Sequence, residues 1–179
     1  MSNAGRAPDA APRTVSAQPF RVGHGYDIHR FAETGVLMLG GVRFPDQPAL
    51  HGHSDGDAVL HAVADALLGA AALGDIGALF PPGDPATRGA DSAALLREIG
   101  ARVRAAGWQP VNVDVTVIAE RPRIGPRVAE MRDAIAAAVA LDRACVSVKG
   151  KTNEGLDSIG RGEAIACHAV ALIAPVPMP

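Results

Sequence analysis

Asp27 and His29 stand two residues apart in Gly23-His24-Gly25-Tyr26-Asp27-Ile28-His29, and His61 closes a second run, His53-Ser54-Asp55-Gly56-Asp57-Ala58-Val59-Leu60-His61. On a strand, residues two apart share a face. The second run leads into a helix. One strand and one helix can therefore aim a carboxylate and two imidazoles at one point. Three such ligands describe a catalytic zinc site, in which the fourth position receives substrate or water. An Asp-x-His pair alone is ordinarily a solvated surface pair; the helix makes the difference. From Ala58 to Leu73 nearly every residue is apolar, and a helix apolar all round is buried. His61 and Asp65, with Asp57 before them, form one i, i+4, i+8 stripe. Burying that stripe without partners would cost several kcal/mol. A metal on His61, with Asp57 and Asp65 orienting its second nitrogen, offsets that cost. Ser54 and Asp57 also fit a capping box that opens the helix.

The 179 residues suffice for one domain with a sizeable core. A formal charge of -2 excludes a broad basic surface for nucleic acid, and 3% aromatic content argues against base-stacking platforms. No run reaches the roughly 18 apolar residues of a membrane span. The polar, Ala/Pro-rich start lacks the apolar core of a signal peptide. Cys145 and Cys167 form no ligand motif and read as reduced thiols of a cytoplasmic protein. Residues 1–18 read as a disordered tail, and 19–177 as the folded domain.

The elements that must position the candidate ligands follow from periodicity. Residues 20–29 read as a strand, and 36–44 as a hairpin turning on Gly40-Gly41. The apolar helix over 55–73 ends at Gly74. A long Gly/Pro/Asp loop to Ala90 precedes a second helix from Asp91-Ser92 to Gly107. A strand over 111–118, a helix over 126–140 and a strand over 145–149 follow. The last strand, 163–174, is apolar on both faces, so helices or another subunit must cover both. Strands and helices mix without regular alternation. The expectation is one α+β domain, a mixed sheet with helices packed on one side.

Three loops could serve the same chemistry. In the loop Gly74–Pro85, backbone amides at Gly77 can bind an anion or hydroxyl, although a plain connection reads as well. Glu120-Arg121-Pro122-Arg123-Ile124-Gly125-Pro126 opens a helix, where N–H groups suit anions and two prolines stiffen the chain. Lys149-Gly150-Lys151-Thr152-Asn153-Glu154 is no Walker loop, but Thr152 can donate to a phosphoryl oxygen and Glu154 can hold a hard cation. His24, His51 and His168 have no ligand context.

Taken together, the blocks G-H-G-Y-D-I-H, H-G-H-S-D-G-D-A-V-L-H-A, G-A-A-A-L-G-D-I-G-A-L-F-P, A-D-S, R-P-R-I-G-P and G-R-G-E-A-I-A-C resemble the 2-C-methyl-D-erythritol 2,4-cyclodiphosphate synthase family over residues 20–174. The resemblance implies a homotrimer with active sites between subunits. It implies conversion of 4-diphosphocytidyl-2-C-methyl-D-erythritol 2-phosphate to a cyclic diphosphate and CMP, in the non-mevalonate isoprenoid pathway. It implies Zn²⁺ on Asp27, His29 and His61, and Mg²⁺ (or Mn²⁺) with Glu154. His53 and Thr152 match transition-state stabilisers. Ser54, Asp75, Ile76, Gly77, Phe80 and Asp84 match the methylerythritol end of the substrate site. Ala119, Arg123, Ile124, Gly125, Lys151 and Asn153 match the cytidine end, with Ser158 and Arg161 completing the pocket. Some members bind isoprenoid diphosphates on the trimer axis near positions matching Tyr26 and Arg161. Two stretches depart from the family pattern: Pro82-Gly83 replaces an acidic contact, and the run Lys151-Thr152-Asn153-Glu154-Gly155-Leu156-Asp157-Ser158-Ile159-Gly160 keeps the glutamate and one threonine but alters the apolar segment before Arg161. A zinc phosphohydrolase on the same scaffold, and a non-catalytic trimer binding nucleotides or isoprenoid diphosphates, are the competing expectations.

Overall fold

A computed structural model describes residues 20–81, 83–85 and 89–177. The expected tail, and Pro82 of the first departure, lie outside the described residues. The elements in order are β1 (Arg21–Arg30), β2 (Leu37–Leu39), β3 (Val42–Phe44), α1 (Ala58–Ala71), α2 (Ile76–Leu79), α3 (Ser92–Ala105), β4 (Trp108–Ile118), α4 (Val128–Val139), β5 (Val146–Lys151), α5 (Asp157–Gly160) and β6 (Ala164–Pro175). Short 3-10 turns precede α4 and β5. Four strands form a mixed sheet ordered β1-β6-β4-β5, and β2 pairs with β3 alone. β6 runs antiparallel to both neighbours, while β4 and β5, joined through α4, are parallel. The fold is α+β, as expected.

The helices cover one face of the sheet. α1 packs across β1 and β6 and against α3. Ile165, Cys167, Ala169, Ala171 and Ile173 of β6 are fully buried beneath it. On the opposite face Ile159 of α5 covers only Ala164, Ala166 and Ile118, and the rest stays open: Val22, Tyr26, Ile28 and Val170 are 66, 46, 41 and 41% exposed. The expectation that both faces of the last strand find a cover is thus met along one side and, on the other, only at the α5 end within a single chain.

α1 approaches β1 at backbone distance. A Cβ on Gly23 would stand 1.9 Å from the carbonyl oxygen of Ala66, and one on Gly25 1.9 Å from that of Ala62. Only glycine permits this approach. Residues 58–71 of α1 are buried except for His61, Asp65 and Gly69, which form a single line on the helix. Of the polar stripe anticipated from spacing, Asp57 is fully buried while His61 and Asp65 are only half-buried.

Asp57 starts α1. It is fully buried, and its carboxylate accepts from Val59 and Leu60 N–H, both at 3.1 Å. It also accepts from Gly40 and Gly41 N–H at 2.8 and 2.6 Å, tying the β2–β3 turn to the helix start. Burial pushes its pKa up, against the pull of these amides. The cap is thus Asp57 alone; Ser54 takes no part in it. At the other end Ala72, at φ 59°, takes the left-handed cap expected of Gly74.

Gly25→Ala is expected to lower stability by about 2–3 kcal/mol through overpacking, read as a lower denaturant midpoint. It should also weaken metal uptake, because α1 carries His61. An unchanged midpoint would contradict the close approach.

Candidate active site

β1 presents Asp27 and His29 on its helix-facing side, and α1 brings His61 over them. Asp27 Oδ2 lies 2.9 Å from both His29 Nε2 and His61 Nδ1, and the two imidazole nitrogens are 3.3 Å apart. These donors form the one cluster of at least three metal-ligating groups found among the described residues. A tetrahedral zinc with bonds near 2.05 Å separates its ligand atoms by about 3.4 Å. The three donors fit that spacing within a few tenths of an ångström. Burial raises the pKa of Asp27, but hydrogen bonds and charge from His29 and His61 outweigh it and hold the group at about 2. It is therefore a carboxylate throughout the neutral range. The hydrogen bond to Asp27 raises the pKa of His29.

Asp57 and Asp65 do not orient His61. Asp57 is committed to the four amides above, and Asp65 Oδ1 accepts from Ile76 N–H at 2.8 Å, fixing the start of α2. The partners of His61 Nε2 are hydroxyls instead: Ser54 Oγ and Ser92 Oγ, each at 3.0 Å. Ser92 was not singled out by the sequence, because nothing local relates the start of α3 to a residue 31 positions earlier.

A cavity of about 140 Å³ opens on the triad, lined by His29, His53, Ser54, His61, Ile76, Gly77, Phe80 and Leu95. It brings together most of the residues expected at the methylerythritol end. Asp75 caps α2, accepting from Ala78 N–H at 2.7 Å. Asp84 is exposed and does not line this cavity.

A second cavity of about 440 Å³ lies across the sheet, bordered by Ala119, Arg123, Ile124, Gly125, Lys151 and Thr152 among others. It collects the residues expected at the cytidine end except Asn153, which does not line it. Asn153, Glu154, Ser158 and Arg161 lie in or near the connection from β5 to β6. Thr152 Oγ1 donates to Glu154 Oε1 at 3.0 Å, and Arg161 is engaged by Glu163, with Nε 2.7 Å from Oε1. Glu120 holds the connection in place: its Oε1 accepts from Asn153 N–H at 3.0 Å and Gly155 N–H at 3.3 Å. Between these amides Glu154 adopts φ 51°. Asn153 Nδ2 reaches Asp157 Oδ2 at 2.9 Å, and Asp157 caps α5 at Ile159 N–H. The residues that depart from the family pattern thus build a hydrogen-bonded loop of their own.

A model of the YgbB family matches residues 20–174. The chain belongs to that family. A relative from Chromobacterium violaceum named 2-C-methyl-D-erythritol 2,4-cyclodiphosphate synthase is 59% identical over 155 residues, which is 87% of this chain and 98% of the relative. A relative of the same name from Bordetella petrii is 58% identical over 156 residues, 87% of this chain and 96% of its own. The solved structure of IspF from Plasmodium falciparum in complex with CDP is similar at a TM-score of 0.79 and 36% identity, covering 90% of this chain and 100% of that one.

Glu120→Ala should leave the Asn153 and Gly155 amides without their acceptor. Hydrogen bonds to a charged group contribute about 1.5–3 kcal/mol, so exchange of those two amides is expected to speed by about tenfold or more. Unchanged protection in an exchange experiment would remove Glu120 from this role.

Proposed function

We propose that the chain converts 4-diphosphocytidyl-2-C-methyl-D-erythritol 2-phosphate to 2-C-methyl-D-erythritol 2,4-cyclodiphosphate with release of CMP, a step of the non-mevalonate isoprenoid pathway. The observation that carries this reading is the Asp27–His29–His61 triad, whose two imidazoles line the same cavity as His53, Ser54, Gly77 and Phe80. The activity named for relatives of nearly equal length supports it.

In the reaction an oxygen of the 2-phosphate attacks the β-phosphorus of the diphosphate. The bond from that phosphorus to the oxygen bridging the α-phosphate breaks, and CMP leaves with that oxygen. An anion attacks an anion, so positioning and charge neutralisation matter more than a base. Zinc on Asp27, His29 and His61, and magnesium or manganese with Glu154, would supply that neutralisation when bound. His53 and the Thr152 hydroxyl donate hydrogen bonds to the phosphoryl oxygens as charge develops there. Ser54 and the α2 turn hold the methylerythritol end. Arg123 and Lys151 supply cations beside the cavity that receives cytidine and its phosphates, and Ala119, Ile124 and Gly125 give it walls and backbone hydrogen-bonding groups.

The working form in this reading is a homotrimer with the site shared between copies. β1 and β5 are at opposite edges of the sheet, three strand spacings or about 14 Å apart. The triad and Thr152 of one chain are therefore separated by the width of the sheet, and a neighbouring copy can bring the two halves together. The open apolar face around Val22, Tyr26, Ile28 and Val170 supports such burial. No helix of the described residues is long and apolar enough to cross a membrane. The free thiols of Cys145 and Cys167 support a cytoplasmic setting.

Incubation with the substrate is expected to give CMP and the cyclic product in equal amounts; release of inorganic phosphate instead would favour a hydrolase. Mixed trimers of His61→Ala and Thr152→Ala chains, each inactive alone, should recover part of the activity, because some sites then draw both halves from unmutated segments. Verified mixed trimers with no recovery would contradict the shared site.

A further inference from the structure

The side of His61 that faces away from Asp27 meets Ser54 and Ser92, and Ser92, held in turn by Asp55, has no part in the reaction described above. Ser92 is the first residue of α3 and only 1% exposed. Its backbone N–H donates to Asp55 Oδ2 at 3.1 Å, and its hydroxyl donates to Asp55 Oδ1. The same Oγ lies 3.0 Å from His61 Nε2. A serine has one hydroxyl proton. With that proton directed at the carboxylate, the Ser92 oxygen can only accept from the ring, so this contact is a hydrogen bond only in the tautomer with the proton on Nε2 and the lone pair on Nδ1. That lone pair lies 2.9 Å from the Asp27 Oδ2 carboxylate oxygen and 3.3 Å from His29 Nε2. The lone pair and the carboxylate repel each other unless a cation sits between them.

We propose that Asp55 and Ser92 form a relay that fixes His61 as the Nε2–H tautomer and so reserves Nδ1 for the metal. Both are positioning residues: they act through His61, as the partners of metal-bound imidazoles commonly do. Ser54 Oγ, also 3.0 Å from Nε2 and 3.3 Å from Ser92 Oγ, does not duplicate the relay, because among the described residues it has no hydrogen bond to a carboxylate. It stays able to turn toward a ligand in the cavity. The relay also fixes the segment that carries His53. Asp55 N–H donates to Ala90 O at 3.1 Å, and Gly89 N–H donates to His53 O at 2.8 Å, so the start of α3 and the loop before α1 are bound as one unit.

This inference rests on the metal-ligand role of His61 proposed above, and zinc binding to the full chain separates the two. Zinc affinity of the metal-free protein is measured by competition with a chelator, beside histidine nitrogen NMR of the zinc-loaded protein. The wild type should show a proton on His61 Nε2, protected from exchange, with zinc on Nδ1. Ser92→Ala should bind zinc about tenfold or more weakly and lose the protected proton. Asp91, which caps α3 through Ala93 N–H at 2.9 Å, is untouched in that variant. Ser92→Thr keeps the hydroxyl and should restore the affinity; Asp55→Asn, which keeps an acceptor without its charge, should fall between. Ser92→Ala binding zinc as tightly as the wild type, or a zinc-loaded wild type with no proton on Nε2, would overturn the relay alone. A wild type that takes up no zinc would overturn the metal reading and the relay with it.

Discussion

The contact of α1 with β1 across Gly23 and Gly25 is the constraint on which the rest of the molecule depends. A helix normally stands off a sheet by the thickness of its side chains. Here the missing Cβ atoms let the Ala62 and Ala66 carbonyls approach the strand directly. That approach brings an imidazole on the helix within hydrogen-bond distance of a carboxylate and an imidazole on the strand. The same glycines alternate along β1 with His24, Tyr26 and Ile28, which point to the open face. One strand therefore sets the metal-ligand cluster on one side and the uncovered apolar surface on the other.

Asp57 performs the matching task at the helix start. By accepting from the amides of Gly40, Gly41, Val59 and Leu60, one buried carboxylate fixes the axial position of α1 and the hairpin beside it. A charge so buried is tolerable only because each oxygen is satisfied by N–H groups. The consequence is that Asp57 serves the site by placing His61 rather than by touching it.

Much of this was legible in the sequence. Period-two spacing of Asp27 and His29 placed both on one face, and the apolar run after Asp57 announced a buried helix with His61 as its anomaly. The two loops lining the larger cavity were recognisable from their prolines, glycines and cations. What was not legible depends on contacts between segments distant in the chain. Spacing linked Asp57 and Asp65 to His61, whereas the fold spends both on backbone amides and supplies Ser92, from another helix, in their place. Glu120 likewise reaches a loop 33 residues later, and no local pattern announces that. Hydrophobic periodicity reports which face of an element is buried. It does not report what lies across from a polar side chain.

The central claim is that one carboxylate and two imidazoles converge on a metal with a position left for substrate. X-ray absorption at the zinc edge of the metal-loaded protein tests it most directly. The account predicts a first shell of light atoms only, near 2.0–2.1 Å, with outer-shell scattering from two imidazole rings. A sulfur ligand near 2.3 Å, or scattering from fewer than two imidazoles, would contradict it.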